Sequence, residues 1–111
     1  MKWIKKNKPT KPRFVNYRIV NKNLKMKVAS FDGEIWLTQK QMAEIFGISI
    51  PTVNEHLKKM WQKAEFPESK LSQKFAIKAK DGKTYTVNHY HREVMDEIQK
   101  RVKSWDSEDT V

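Results

Sequence analysis

A single α+β domain, with two short helices held between β-hairpins and an amphipathic helix closing the chain, is what this sequence predicts. Three observations carry that prediction. Hydrophobic alternation of period two brackets a helical centre on both sides. An N-cap and a stop glycine punctuate that centre into two helices. The chain, finally, has 111 residues, the length of one domain, with roughly 65% of its unfolded surface to bury on folding.

The elements follow in order. Residues 1–16 carry Pro9 and Pro12 among lysines, with only Trp3, Ile4, Phe14 and Val15 to bury, so the reading there is a basic, flexible arm. From Tyr17 the pattern changes. Leu24, Met26 and Val28 alternate with Lys25 and Lys27, as in a half-buried strand. Asp32-Gly33 then supplies a turn, and Ile35-Trp36-Leu37 a short return strand. Thr38-Gln39-Lys40-Gln41 reads as a capping box opening a helix. Its apolar face is Met42, Ala43, Ile45 and Phe46, and Gly47 offers the left-handed stop. Ser49 is a second N-cap, with Pro51 in the following first turn. The second helix is expected to run to about Ala64, with Ile50, Val53, Leu57, Met60, Trp61 and Ala64 on one face. Glu65 to Ser69 breaks it.

A second hairpin follows, and its register can be argued. A two-residue Asp81-Gly82 loop would scatter the apolar residues over both faces. A three-residue Lys80-Asp81-Gly82 loop, with Gly82 left-handed, pairs Ala79 with Lys83, Ile77 with Tyr85 and Phe75 with Val87, gathering them on one face. The other face carries Lys74, Lys78 and Lys80. His91 to about Ser104 is amphipathic, with Val94, Met95, Ile98, Val102 and Trp105 on one side. The expected boundaries are an arm at 1–16, a domain at 17–105 and an acidic tail at 106–111.

Charge and composition bound the function. The chain has 23 Lys and Arg against 13 Asp and Glu, a net charge of +10. Residues 1–30 hold ten of these bases (Lys2, Lys5, Lys6, Lys8, Lys11, Arg13, Arg18, Lys22, Lys25 and Lys27) and no acid, so they account for the whole excess. A cationic arm on a neutral body suits a polyanionic partner, although a charge run serves equally well as a solubilising tail. The absence of cysteine excludes disulfides, thiol catalysis, Fe–S clusters and Cys-ligated zinc. The longest apolar runs are triplets, far short of the ~20 residues of a membrane span. A cytoplasmic protein with no membrane partner is the expectation.

Gln39 to Lys58 has the organisation of a helix-turn-helix: a short helix, a turn glycine, an apolar residue after it, and a longer second helix. An ordinary αα-hairpin shares that spacing. The lysine-bearing hairpin that follows sits where a DNA-contacting wing would. The fold reading is thus a winged helix-turn-helix with an N-terminal β-hairpin, a C-terminal β-hairpin wing and a closing C-terminal helix. Trp36-Leu37-Thr38-Gln39-Lys40-Gln41-Met42-Ala43-Glu44-Ile45-Phe46-Gly47, Thr52 to Leu57, and Asp81 to Tyr85 with Tyr90 resemble the RhuM family of bacterial and phage-derived proteins. The resemblance spans about Phe31 to Ser104 and departs from the family pattern after Tyr90. It implies a winged-helix-like DNA-binding domain from a family often found near mobile elements or restriction loci.

A helix-turn-helix reads base edges with the N-terminal half of its second helix. The candidate base contacts are Ser49, Thr52, Asn54 and Glu55. Asn54 suits adenine, Glu55 suits cytosine N4, and Thr52 suits a base edge or a thymine methyl. Glu55 has an alternative partner in Lys59, one helical turn on. Lys58, Lys59, Lys78, Lys80 and Lys83 are candidate phosphate contacts, and Lys2, Lys5, Lys6, Lys8, Lys11 and Arg13 form the basic arm. No catalytic cluster, metal set or cofactor motif is visible. His56, His89 and His91 lack further ligands at defined spacing. The expected activity is non-catalytic binding of double-stranded DNA as a regulator. A protein-interaction module with an acidic partner is the alternative, and the last helix offers a surface for a homodimer.

Overall fold

The computed structural model describes residues 10–19 and 23–109. Its elements are β1 (Arg13–Ile19), β2 (Leu24–Phe31), β3 (Glu34–Leu37), α1 (Gln39–Phe46), α2 (Ile50–Trp61), α3 (Glu68–Leu71), β4 (Ser72–Lys78), β5 (Thr84–His91) and α4 (Arg92–Asp109). The five strands form one antiparallel sheet in the order β1-β2-β3-β5-β4. The two hairpins expected from the sequence are therefore joined, because Trp36 and Leu37 pair with His91 and Tyr90.

Alternation divides the sheet into two buried faces. Val28, Leu37 and Tyr90 lie in the main core, with Met42, Ala43 and Ile45 of α1, Val53, Leu57 and Met60 of α2, and Val94, Met95 and Ile98 of α4. The opposite face buries Ala29, Trp36 and Phe75 with Phe31 and Ile77 packed on them. No helical residue belongs to this second cluster, yet Phe75 is fully buried.

The sheet covers that face by curling. Thr10 bridges Phe75 on β4, its carbonyl accepting from Ala76 N–H at 2.9 Å, while Arg13 pairs with Ser30 on β2. In a flat sheet β1 and β4 would lie about 19 Å apart, at ~4.8 Å per strand. The chain from Thr10 to Arg13 reaches at most about 11 Å. The two edges must approach each other, so the second face becomes the inside of a rolled sheet.

Several expectations change here. The strand β1 occupies Arg13–Ile19, reaching back into the span assigned to the arm; residues 1–9 lie outside the described residues. The second helix stops at Trp61 rather than Ala64, and Ile50 is 44% exposed instead of facing the core. The break after that helix contains a short helix, α3, whose Leu71 is buried. Backbone that was read as acidic tail continues α4 to Asp109, and Trp105 falls where side chains are not described. Among the described residues no helix is long and apolar enough to cross a membrane.

Candidate nucleic-acid interface

The turn between α1 and α2 is built by local chemistry. Thr38 caps α1: its Oγ1 accepts from Gln41 N–H, and Gln41 Oε1 accepts from Thr38 N–H, both at 3.0 Å. Gly47 ends the helix at φ +67, and its N–H donates to the Ala43 carbonyl. Ser49 opens α2, its Oγ accepting from Thr52 N–H at 3.2 Å and lying 2.7 Å from Thr52 Oγ1. Val53, Leu57 and Met60 of α2 then enter the core together, which turns Pro51, Glu55, Lys58, Lys59 and Gln62 to solvent.

The predicted contact residues divide accordingly. Ser49, Glu55, Lys58 and Lys59 are exposed on α2, and Thr52 is half-buried beside them. Among the described residues Glu55 makes no ion pair with Lys59. Asn54 is held differently. Its Oδ1 accepts from Gln39 Nε2 at 3.3 Å, and the same amide donates to the Tyr90 hydroxyl at 3.2 Å. One glutamine thus ties β5, α1 and α2 together, and Tyr90 also stacks on Trp61 with ring centroids 6.3 Å apart. Bidentate contact with adenine requires this Oδ1 to be shared with, or released from, Gln39. Neither Gln39 nor Tyr90 carried a hydrogen-bonding role in the sequence reading, because a bridge between three elements leaves no local pattern.

The β4–β5 hairpin forms one edge of the sheet. Its register is Phe75 with Val87, Ile77 with Tyr85 and Lys78 with Thr84, and the Ala79 N–H donates to the Lys83 carbonyl at 2.8 Å. The three-residue loop with Gly82 at φ +85 is therefore the one that forms. Alternation places Lys74 and Lys78 on the face that carries Tyr90 toward the helices. Lys80 and Lys83 are exposed at the tip. There Asp81 Oδ1 accepts from Lys83 N–H at 2.9 Å, and Tyr85 donates its hydroxyl to Asp81 Oδ2 at 2.7 Å. The Tyr85 bond, with the Lys83 amide, lowers the Asp81 carboxyl from its ordinary value, and the same contact raises the Tyr85 phenol.

Residues 37–63 match the family profile described as winged helix-turn-helix DNA-binding. The matched span is the capping box, α1, the Gly47 turn and α2. This fold is a winged helix-turn-helix. Comparison with curated proteins and with solved structures gives no match. In winged helix-turn-helix terms α2 is the second helix of the motif, β4–β5 the wing, and α4 the closing helix, packed on α1, α2 and the sheet.

The histidines take structural places around this motif. Burial lowers His56 of α2 below its ordinary value, and the nearby charges of Arg101 and Lys59 act in the same direction. His91 caps α4: the Glu93 N–H donates to its Nδ1 at 3.1 Å, which assigns the proton to Nε2, donating to Glu34 Oε1 at 2.5 Å. His89 is 2% exposed, with Nδ1 donating to the Val87 carbonyl at 3.0 Å and its ring edge-on to Phe75. Among the described residues no three His, Asp or Glu side chains are grouped to hold a metal ion. Of the basic arm, Lys11 is exposed just before β1 and Arg13 lies on it, whereas Lys2, Lys5, Lys6 and Lys8 lie outside the described residues.

Proposed function

We propose that this chain binds double-stranded DNA without catalysis, inserting the exposed side of α2 into the major groove and laying the β4–β5 wing along the phosphate backbone. The observation that carries the reading is the match of Leu37 to Lys63 to a DNA-binding family, over a helix whose polar, lysine-bearing side faces solvent. The start of α2 also presents the Ile50 N–H and the positive end of the helix dipole to a phosphate, the Thr52 and Val53 amides being taken by Ser49.

Within that reading Thr52 and Glu55 contact base edges, Ser49 and Asn54 do so on rearranging their present bonds, and Lys58, Lys59, Lys78, Lys80 and Lys83 contact phosphates. Exposed Ile50 at the start of α2 joins them as an apolar contact suited to a thymine methyl. The resemblance to the RhuM family adds a role as a regulator encoded by a mobile element or its bacterial host. Fluorescence anisotropy of labelled duplex DNA at low salt tests the proposal. Saturable binding is expected, with Thr52→Ala and Asn54→Ala weakening one preferred sequence selectively. No binding at low salt would refute it.

A further inference from the structure

A cleft of about 350 Å³ opens at one end of the rolled sheet. Its walls are Phe14, Ala29, Ile77 and Val87, one from each of four strands, with His89 beside Val87 and the first turns of α1 along the rim. An open cleft in the mouth of a curled sheet, apolar along its strands and edged by Lys40 and Glu44 of α1, has the construction of a small-molecule site. The volume exceeds the ~150 Å³ that admits benzene, leaving room for a substituted ring.

The polar atoms narrow the chemistry. His89 commits its Nδ1 proton to the Val87 carbonyl, which leaves Nε2 as an acceptor. Burial keeps this imidazole neutral by pushing it below its ordinary value. One unspent acceptor between the apolar side chains of Phe14, Ile77 and Val87 complements a hydroxyl on a ring-sized apolar body. A carboxylate would meet Nε2 with no proton between them, and a plain hydrocarbon would leave that acceptor without a partner.

We infer that the cleft is a binding site for a small substituted phenol, its ring against Phe14, Ile77 and Val87 and its hydroxyl donating to His89 Nε2. The inference is independent of DNA binding. Because Thr38 and Gln41 of the α1 capping box also line the cleft, an occupant would touch the first helix of the helix-turn-helix directly.

The test uses the full chain, ¹⁵N-labelled, titrated with 4-ethylphenol and separately with 4-ethylanisole, its methyl ether, which lacks only the donor. Saturable amide shifts confined to Phe14, Ile77, Val87 and His89 with their neighbours are expected for the phenol, with affinity at least tenfold above the ether. Val87→Trp, which fills the chamber, should abolish the shifts while preserving the dispersed spectrum. His89→Phe should erase the preference for phenol over ether. Absence of saturable shifts, shifts scattered away from the cleft, or equal affinity for the two ligands in the wild-type chain would overturn the inference. The wild-type comparison stands even where a variant fails to fold.

Discussion

Two residues show how single positions set the properties of this molecule. His89 is buried in the rolled sheet, and burial lowers its affinity for a proton relative to the unfolded chain, where it titrates near the ordinary 6.5. Above that pH both states are neutral and His89 adds no slope. As pH falls below it the unfolded chain takes up a proton that the folded chain resists, so stability declines until the folded value is reached. His56 acts with the same sign. Melting temperature is therefore expected to be flat from pH 8 to about 7 and to drop toward pH 5, with a shallower drop in His89→Phe. A pH-independent melting temperature would contradict the assignment. Gly47 is the second case. Its φ of +67 leaves open space around an added Cβ, so the cost of Gly47→Ala is backbone strain alone, about 1–2 kcal/mol. Gly47→Asn should cost less, because asparagine tolerates the left-handed region, and denaturant unfolding of the two variants measures the difference.

At the scale of elements, the helix-turn-helix and its wing were legible because their signals are local. Thr38 with Gln41, Ser49 with Pro51, and Gly47 lie within a turn of the features they control. The wing register followed from the requirement that Phe75, Ile77, Tyr85 and Val87 share a face. The first strand was hidden for a physical reason. Val15, Tyr17 and Ile19 alternate toward the helices, but Arg13 shares their face, Phe14 stands exposed on the other and two prolines precede it, so residues 13–16 read as an arm until β2 is present to pair with them. The bounds of α2 were misplaced because Ile50 and Ala64 continue the apolar spacing beyond where the core reaches. The wing supplies a prediction at this scale. Replacing Lys78, Lys80 and Lys83 by Gln should weaken DNA binding about equally on all sequences and reduce the slope of log K against log salt by roughly two to three. Thr52→Ala should instead act on preferred sites and leave the slope unchanged. Anisotropy titrations at several salt concentrations separate the two.

For the whole molecule, the sheet's second core is what the sequence did not reveal. Trp36 and Phe75 are far apart in the chain, and their rings meet edge to face at 5.9 Å only because the sheet rolls. No periodicity within one strand encodes that closure. It depends in part on Thr10, and deletion of residues 1–12 is expected to cost about 1 kcal/mol through the lost bond to Ala76. Replacing Lys2, Lys5, Lys6 and Lys8 by Gln should leave thermal stability unchanged while lowering the salt slope by up to roughly four if each lysine meets a phosphate. Paired melting and salt-titration experiments on these two variants distinguish the closing segment from the charge that precedes it.

The bridge from Thr10 to Phe75 also decides where the start of the chain is anchored. Because β1 starts three residues later, Thr10 lies at the seam where the two edges of the rolled sheet meet, so one short segment reports on both edges at once.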